Sequence, residues 1–323
     1  MERYTTMKAI ELPAPANRRS LLGWLTEPTL AGMARRRALL GYLFILPTVL
    51  SIVLFTAGPV VASFGLSFYR WNVINDPEFI GLDNYRQLAN DSRALNSFVT
   101  TGKFVVLAVA LQMVLSLLLA LGVQSIKSRG LRSFFRTAFF LPLLTSAASI
   151  SIVLAYMFNQ DFGVINYYLG EVGISEIPWL NSAGWALITI VLAYVWQQIG
   201  FTFIIFTGGL SGIPKDVLEA ADLDGATGWR RLWDIIIPML SPTILFVGVT
   251  GVIGALQVFS EPFVMTNGGP GDATRTVVMV LYESAFSFLQ VGYGSTIAVV
   301  LFVAILLITA IQFRLSSRWV FYQ

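Results

Sequence analysis

The chain has 323 residues, 56% hydrophobic and 12% charged; soluble domains carry about 25% charged residues, so this balance places the polypeptide in the membrane class. Its formal net charge is +3, and it contains neither cysteine nor histidine. Disulfides, thiolate nucleophiles, histidine metal sites and imidazole triads are excluded, and without a Gly-x-x-x-x-Gly-Lys-[Ser/Thr] loop any ATP is expected to bind elsewhere.

Residues 1–38 read as a cytoplasmic tail. They hold Pro13, Pro15 and Pro28, and an apolar patch at Leu21, Leu22, Trp24 and Leu25 that suits either a helix on the membrane surface or an unstructured chain. A spanning helix needs roughly 20 mostly apolar residues. Six stretches qualify: 39–64, 100–124, 137–158, 185–209, 243–264 and 294–313. The first follows Arg35–Arg37 and is too long, with no small-residue cleavage site, to be a removable signal. The expected fold is therefore an all-α integral membrane protein with six transmembrane helices, a membrane domain over 39–316 and a short end at 317–323.

Between the spans, 70–98 carries Phe79-Ile-Gly-Leu-Asp-Asn-Tyr85 and reads as a short interfacial helix. Loop 125–136 is short and basic, with Lys127, Arg129, Arg132 and Arg136. Loop 159–184 holds Asp161, Glu171 and Glu176 without Lys or Arg, and a helix start at Gly163–Leu169. With the N-terminus inside, 16 of the 21 Lys and Arg residues fall on the inner side. The positive-inside rule then puts both termini and a polar insert at about 211–241 in the cytoplasm.

That insert reads Glu219-Ala-Ala-Asp-Leu-Asp-Gly-Ala226, followed by Arg230, Arg231, Pro238 and Pro242. Pro214 suits a first helical turn, where its missing N–H costs nothing. Asp216, Glu219 and Asp222 recur every three residues, with Val217, Ala220, Ala221 and Leu223 as small apolar contacts. Gly225 permits a sharp turn, after which a second helix opens near Thr227–Trp229. The periodicity alone fits an amphipathic hairpin lying on the bilayer. The alanines also permit close approach by another protein.

Further on, Val264-Met-Thr-Asn-Gly-Gly-Pro-Gly271, Thr274, Tyr282-Glu-Ser-Ala-Phe286 and Gly292-Tyr-Gly294 form a second signature. The fourth span concentrates Tyr194, Gln197, Gln198 and Phe201 at i, i+3, i+4 and i+7, one helical face. Aromatic rings and amides suit a sugar's CH surfaces and hydroxyls, and polar groups in a span face a partner or a cavity; the alternative is interhelical hydrogen bonding. In the fifth span the polar residues are Gln257, Ser260 and Glu261, while Gly248, Gly251 and Gly254 make a face suited to close packing. Glu261 fits either a sugar contact or a helix-end residue.

The Glu-Ala-Ala-x-x-Asp-Gly-Ala spacing with its following proline resembles the cytoplasmic "EAA" loop of bacterial ABC-importer permeases. Together with the second signature, Leu46-Pro47 and Phe79–Tyr85, it resembles the carbohydrate-uptake branch, which includes maltose and glycerol-phosphate permeases, over roughly 40–315. The resemblance implies a permease subunit of the bacterial inner membrane, working by alternating access. Its implied partners are a second related permease, two ATPase subunits holding ATP and Mg, an extracytoplasmic solute-binding protein, a carbohydrate substrate and membrane lipid, and no nucleic acid. No cofactor, metal or catalytic residue is implied in this chain. Glu219, Ala220, Ala221, Asp224, Gly225 and Ala226 would receive the ATPase's motion. Tyr194, Gln197, Gln198, Phe201, Gln257 and Glu261 would line the substrate pathway. Where maltose permeases carry polar or aromatic residues, this chain has Gly251, Gly254 and Ala255, implying either a larger cavity or a site supplied mainly by another subunit. An ion-coupled secondary transporter is the competing class; it needs mid-membrane acidic relays and doubled architecture, which six spans without a central carboxylate do not provide. An ABC permease for a non-sugar solute is the other alternative.

Overall fold

The computed structural model describes residues 30–321, with side chains from Met33 onward. The patch at Leu21–Leu25 lies outside the described residues, as does most of the 1–38 tail. The chain divides into two compact units, Met1–Val61 and Ala62–Gln323. In the first, helix α1 (Leu30–Ile52) runs into a five-residue π turn, Val53–Ala57, and the helix resumes as α2 (Gly58–Leu66). Tyr42, Leu43, Phe44 and Phe55 stand exposed along it, as a span's apolar side chains do.

The second unit takes in the end of α2 from Ala62 and then a two-stranded antiparallel pair, β1 (Tyr69–Arg70) and β2 (Glu78–Phe79), in which Tyr69 faces Phe79 and Arg70 faces Glu78. Helix α3 (Asp83–Asn90) falls within 70–98, where a short helix was expected. Asp91 then caps α4 (Ser92–Ser125), accepting the N–H groups of Arg93 at 2.9 Å and Ala94 at 3.1 Å. At 1.5 Å per residue α4 is about 51 Å long, so it outruns the roughly 30 Å hydrocarbon layer.

Next come α5 (Arg129–Phe140) and α6 (Ala147–Met157), where a continuous span over 137–158 was expected. Instead the two are bent by 101°. The cause is local. Pro142 lacks an N–H and sits in a 3-10 turn, Leu141–Leu144, after which Thr145 and Ser146 turn extended. Thr145 Oγ1 donates back to the Pro142 carbonyl at 2.6 Å. Helices α7 (Val164–Glu171) and α8 (Ala183–Ser211) follow.

The polar insert holds α9 (Lys215–Leu223) and α10 (Gly228–Arg231). A π turn at Leu232–Ile236 and the short α11 (Ile237–Met239) lead to α12 (Ser241–Leu256), at 69° to the preceding segment. The fifth expected span, 243–264, is likewise interrupted, at Gln257–Phe259, before α13 (Ser260–Thr266). After the loop come α14 (Val277–Tyr282), a π turn at Glu283–Ser287, and α15 (Val291–Ser316). Four helical stretches alone are long and apolar enough to span a bilayer, and counting each bent pair as one span gives six among the described residues.

The core lies where α4, α8 and α12 meet. Phe104, Ile190, Tyr194 and Ala255 belong to one buried cluster; Ala120, Phe203, Phe206, Leu210, Leu240 and Val247 belong to a second. The Gln112 amide donates to Thr202 Oγ1 at 2.5 Å, joining α4 to α8, and such bonds supplement van der Waals packing where lipid supplies no hydrophobic drive.

A third cluster, with Leu88, Val277, Tyr293 and Ile297, closes the end of the bundle opposite the insert. The second sequence signature is built in here. A Cβ on Gly292 would fall 1.9 Å from the Tyr69 carbonyl oxygen, so only glycine lets β1 lie on the start of α15. Arg275, buried, pairs with Asp272 at 2.5 Å and with Glu283, while Arg93 reaches Glu283 at 3.0 Å and Asp272 at 3.5 Å. These contacts pin the 267–276 loop to α4 and to the π turn.

Tyr293 donates to Asp91 Oδ2 at 2.7 Å. Burial pushes the Asp91 carboxyl up, but the Tyr293 hydroxyl, the Ala94 and Arg93 N–H groups and the Arg93 charge outweigh it, holding the group below its usual range. A lowered carboxylate pKa contributes stability above the ordinary carboxylate range, lost as pH falls through the lowered value. Tyr293→Phe should therefore cost about 1 kcal/mol at neutral pH. Thermal unfolding in detergent should show the gap between variant and wild type narrowing on acidification; a constant gap would assign the tyrosine a packing role only.

Candidate functional site

The insert is a helix whose stop is built from backbone bonds. The Ala226 N–H reaches the Ala221 carbonyl at 2.9 Å, and the Gly225 N–H reaches that of Asp222 at 3.2 Å. Those are the two hydrogen bonds of a Schellman motif, with Gly225 in its left-handed position at φ +74°. Ala221 and Ala226, the residues joined by the 2.9 Å bond, are both buried. Ala221 and Ala226 thus pack within the chain, while Ala220 is open. Pro214 precedes the first turn as the N-cap instead of lying in it.

The rest of α9 divides cleanly. Leu218 packs beside Ile213 on the Phe203–Phe206–Leu210–Leu240–Val247 cluster. Glu219, Ala220, Asp224 and Gly225 are exposed. Leu223 is 90% exposed, an apolar side chain standing beyond a polar face. The sequence groups Leu223 with Val217, Ala220 and Ala221 as small apolar contacts; the structure instead sets it off the Leu218–Ala221 face, open to the surroundings. Arg231 Nη1 binds Asp222 Oδ1 at 2.8 Å and Oδ2 at 3.1 Å, clasping the two arms of the elbow. Such half-exposed pairs contribute at most about 1 kcal/mol.

The six predicted pathway residues are distributed differently. Tyr194 is buried, its ring edge-on to Phe104 at 5.2 Å. Gln197 and Glu261 are also buried, each 5% exposed. With both ends of its amide satisfied, Gln197 donates to Glu261 Oε1 at 3.1 Å and accepts the Ala147 N–H at 3.2 Å. Gln197 on α8 thus ties the first turn of α13 to the start of α6, just past the 101° bend. Gln198 is partly open, and Phe201 and Gln257 are exposed.

The open residues lie on two neighbouring helices, α8 and the end of α12. A Cβ on Gly254 would lie 3.1 Å from the Tyr194 hydroxyl, and one on Gly209 would lie 2.6 Å from Thr243 Oγ1. That antiparallel register sets Gln198 and Phe201 level with Thr250 and Ile253. On α12, Phe246, Thr250, Ile253 and Gln257 recur at i, i+4, i+7 and i+11 and are open to varying degrees. Phe246 and Thr250 were missed in the sequence reading, because one phenylalanine and one threonine in an apolar run carry no pattern of their own. Gly251 and Gly254 face Val109 and Tyr194, within the chain. Their small size serves helix contact and does not enlarge a cavity. Among the described residues no cluster of acidic side chains is arranged to hold a metal ion.

A sequence profile for "Binding-protein-dependent transport system inner membrane component" matches residues 112–321. The sn-glycerol-3-phosphate transport system permease protein UgpA of Agrobacterium fabrum is 35% identical, with 88% of this chain and 97% of that protein aligned. The probable starch degradation products transport system permease protein AmyD of Thermoanaerobacterium thermosulfurigenes is 30% identical over 86% of this chain and 94% of its own length. Among solved structures, a chain of a bacterial ABC transporter involved in importing the acidic polysaccharide alginate superposes with a TM-score of 0.77 at 22% identity, covering 88% of this chain and 96% of that one. At that identity the likeness concerns the fold.

Proposed function

The chain belongs to the family of binding-protein-dependent transport system inner membrane components, and we propose that it forms half of the translocation pathway of an ATP-driven carbohydrate importer. The observation that carries the reading is α9: a short helix seated through Leu218 and Ala221, presenting Glu219 and Leu223 outward. We assign that outward face to an ATPase subunit holding ATP and Mg, with a second such subunit beneath a second, related permease. An extracytoplasmic binding protein delivers substrate at the opposite end, where the 267–276 loop is pinned. Both termini and the elbow lie in the cytoplasm in this reading, which the distribution of basic residues supports.

In this mechanism closure of the ATPases displaces α9, and the bundle rocks between inward- and outward-open forms around a site between the two permeases. Phe201 offers a ring for the CH face of a sugar, and Gln198, Thr250 and Gln257 offer hydrogen bonds. Tyr194, Gln197 and Glu261 shape this wall from behind, by fixing α8 against α6 and α13. The starch-product and glycerol-phosphate relatives support a hydroxyl-rich substrate.

The direct test is purification of the chain with its partners. Copurification of an ATPase, and ATP-dependent sugar uptake by the reconstituted complex, are the expected results. Proton-driven uptake by the chain alone would overturn the proposal. Phe201→Ala, by removing a ring that stacks on a sugar's CH face, and Gln198→Ala, by leaving a substrate hydroxyl without its partner, should each reduce uptake of different sugars unequally, about tenfold for the preferred one, which corresponds to about 1.4 kcal/mol. Equal losses for every sugar would assign these two residues to helix packing.

A further inference from the structure

Glu261 is the only Asp, Glu, Lys or Arg residue on α6, α8, α12 and α13. It is 5% exposed, in a region where an ionisable side chain is costly and points to a function. The other titratable groups on the helices packed against α13 are tyrosines. Tyr194 on α8 lies within reach of the Glu261 charge, and Tyr156 on α6 is largely open. In the loop that follows α13, Asp272 and Arg275 are taken up by each other, by Arg93 and by Glu283. The hydrogen-bond partner of Glu261 is a neutral group, the Gln197 amide.

That amide has two ways to lie, and the proton on Glu261 decides between them. An ionised carboxylate only accepts. The Gln197 nitrogen must then face it, as it does at 3.1 Å, and the amide oxygen takes the Ala147 N–H at 3.2 Å. Ala147 opens α6, and its N-cap, Ser146, supplies no side-chain acceptor, so Gln197 satisfies a donor that the start of a helix leaves free. A protonated carboxyl can donate. The amide oxygen can then face Glu261, and the amide, turned end for end, sets its nitrogen 3.3 Å from the Thr145 carbonyl. The same rotation leaves the Ala147 N–H without its acceptor. One proton on α13 thus moves the grip of α8 from the first turn of α6 to the extended residue before it, within the 101° bend.

We propose that Glu261 is a positioning residue that senses protons through Gln197. Ionised, it holds α6, α8 and α13 together; protonated, it releases the start of α6 and lowers uptake. Gln198, the next residue on α8, belongs to the pathway wall in the reading above, so a shift of α6 against α8 reaches the side that meets the cargo. The inference rests on the permease reading and is independent of the kind of solute.

The test is uptake by the complete importer in proteoliposomes, with the inner pH fixed and the outer pH lowered from about 8 to about 5. Each variant is compared with wild type at the same pH. Wild-type uptake should fall about three- to tenfold, the effect of one exchanged hydrogen bond. Glu261→Gln keeps the shape of a protonated carboxyl and its ability to donate. It should therefore show the lowered rate already at the upper pH, and its ratio to wild type should climb toward one as the pH falls. Gln197→Leu, which cuts the relay, should also lose the response. A ratio that stays constant with pH for Glu261→Gln overturns the proposal. A second measurement needs no transport: infrared difference spectra of the purified complex, acid minus neutral, should contain a carboxylic C=O stretch that Glu261→Gln lacks. Identical carboxyl bands in the two proteins overturn proton sensing while leaving the importer reading intact. Absence of any copurifying ATPase overturns that reading, and the infrared comparison can still be made on the chain alone.

Discussion

Replacing Glu219 with lysine is expected to abolish substrate-stimulated ATP hydrolysis and uptake while leaving membrane insertion and fold intact. Glu219 lies on the exposed side of α9, away from Leu218 and Ala221, which seat the helix. Reversing its charge therefore disturbs little inside the chain. Across an interface, removing one member of a desolvated charge pair costs about 2–5 kcal/mol, and reversal adds repulsion, so at least about a hundredfold loss of coupling follows. Leu223→Asp should act similarly by burying an unpaired carboxylate in the same contact, whereas Leu223→Met should be tolerated. The readouts are ATPase rate with and without loaded binding protein, and the amount of ATPase that copurifies. Normal stimulation in Glu219→Lys would remove α9 from the coupling path.

Gly225→Pro should be the most damaging single change in the elbow. Proline fixes φ near −65°, whereas this residue sits at +74°. It also deletes the N–H that reaches the Asp222 carbonyl at 3.2 Å. Both hydrogen bonds of the helix stop would go, at a local cost of about 3 kcal/mol or more. The clasp between Arg231 and Asp222 is too exposed to compensate. Because the spans do not depend on this turn, the variant should insert normally yet be cut by protease at 224–230 and fail to couple. Gly225→Ala, strained by φ alone, should show an intermediate loss. Normal uptake by the proline variant would mean that the elbow's shape is immaterial.

Much of the architecture could be read before the structure was known, for a physical reason. Apolar runs of the right length have one stable arrangement in a bilayer, because every backbone group must be bonded internally. The helix–glycine–helix form of the insert was equally legible, since a left-handed glycine after an amphipathic turn leaves few alternatives. The breaks were not. Pro142 looks like a mild kink inside an apolar run, and its 101° bend depends on Thr145 and Ser146 leaving the helix together. Gln257–Phe259 carries neither proline nor glycine; the mark of the interruption is Pro262, which cannot donate to the Val258 carbonyl but, like Pro142, looks like a mild kink inside an apolar run. The pathway face was half legible. Helical spacing groups Tyr194, Gln197, Gln198 and Phe201, but it cannot say which edge of that group a neighbouring helix covers; here α4, α6 and α13 cover Tyr194 and Gln197 and leave Phe201 open.

The seating of α9 has a mechanical consequence. Leu218 and Ile213 belong to the same cluster as Phe203, Phe206 and Val247, so the elbow is keyed to the feet of α8 and α12 together. A stroke applied at Leu223 would be delivered to both helices as one torque, some ten residues, or about 15 Å, from Phe201. The protruding segment would then serve as a short crank, and the wall that meets the cargo would turn with it, with no slack between hand and shaft.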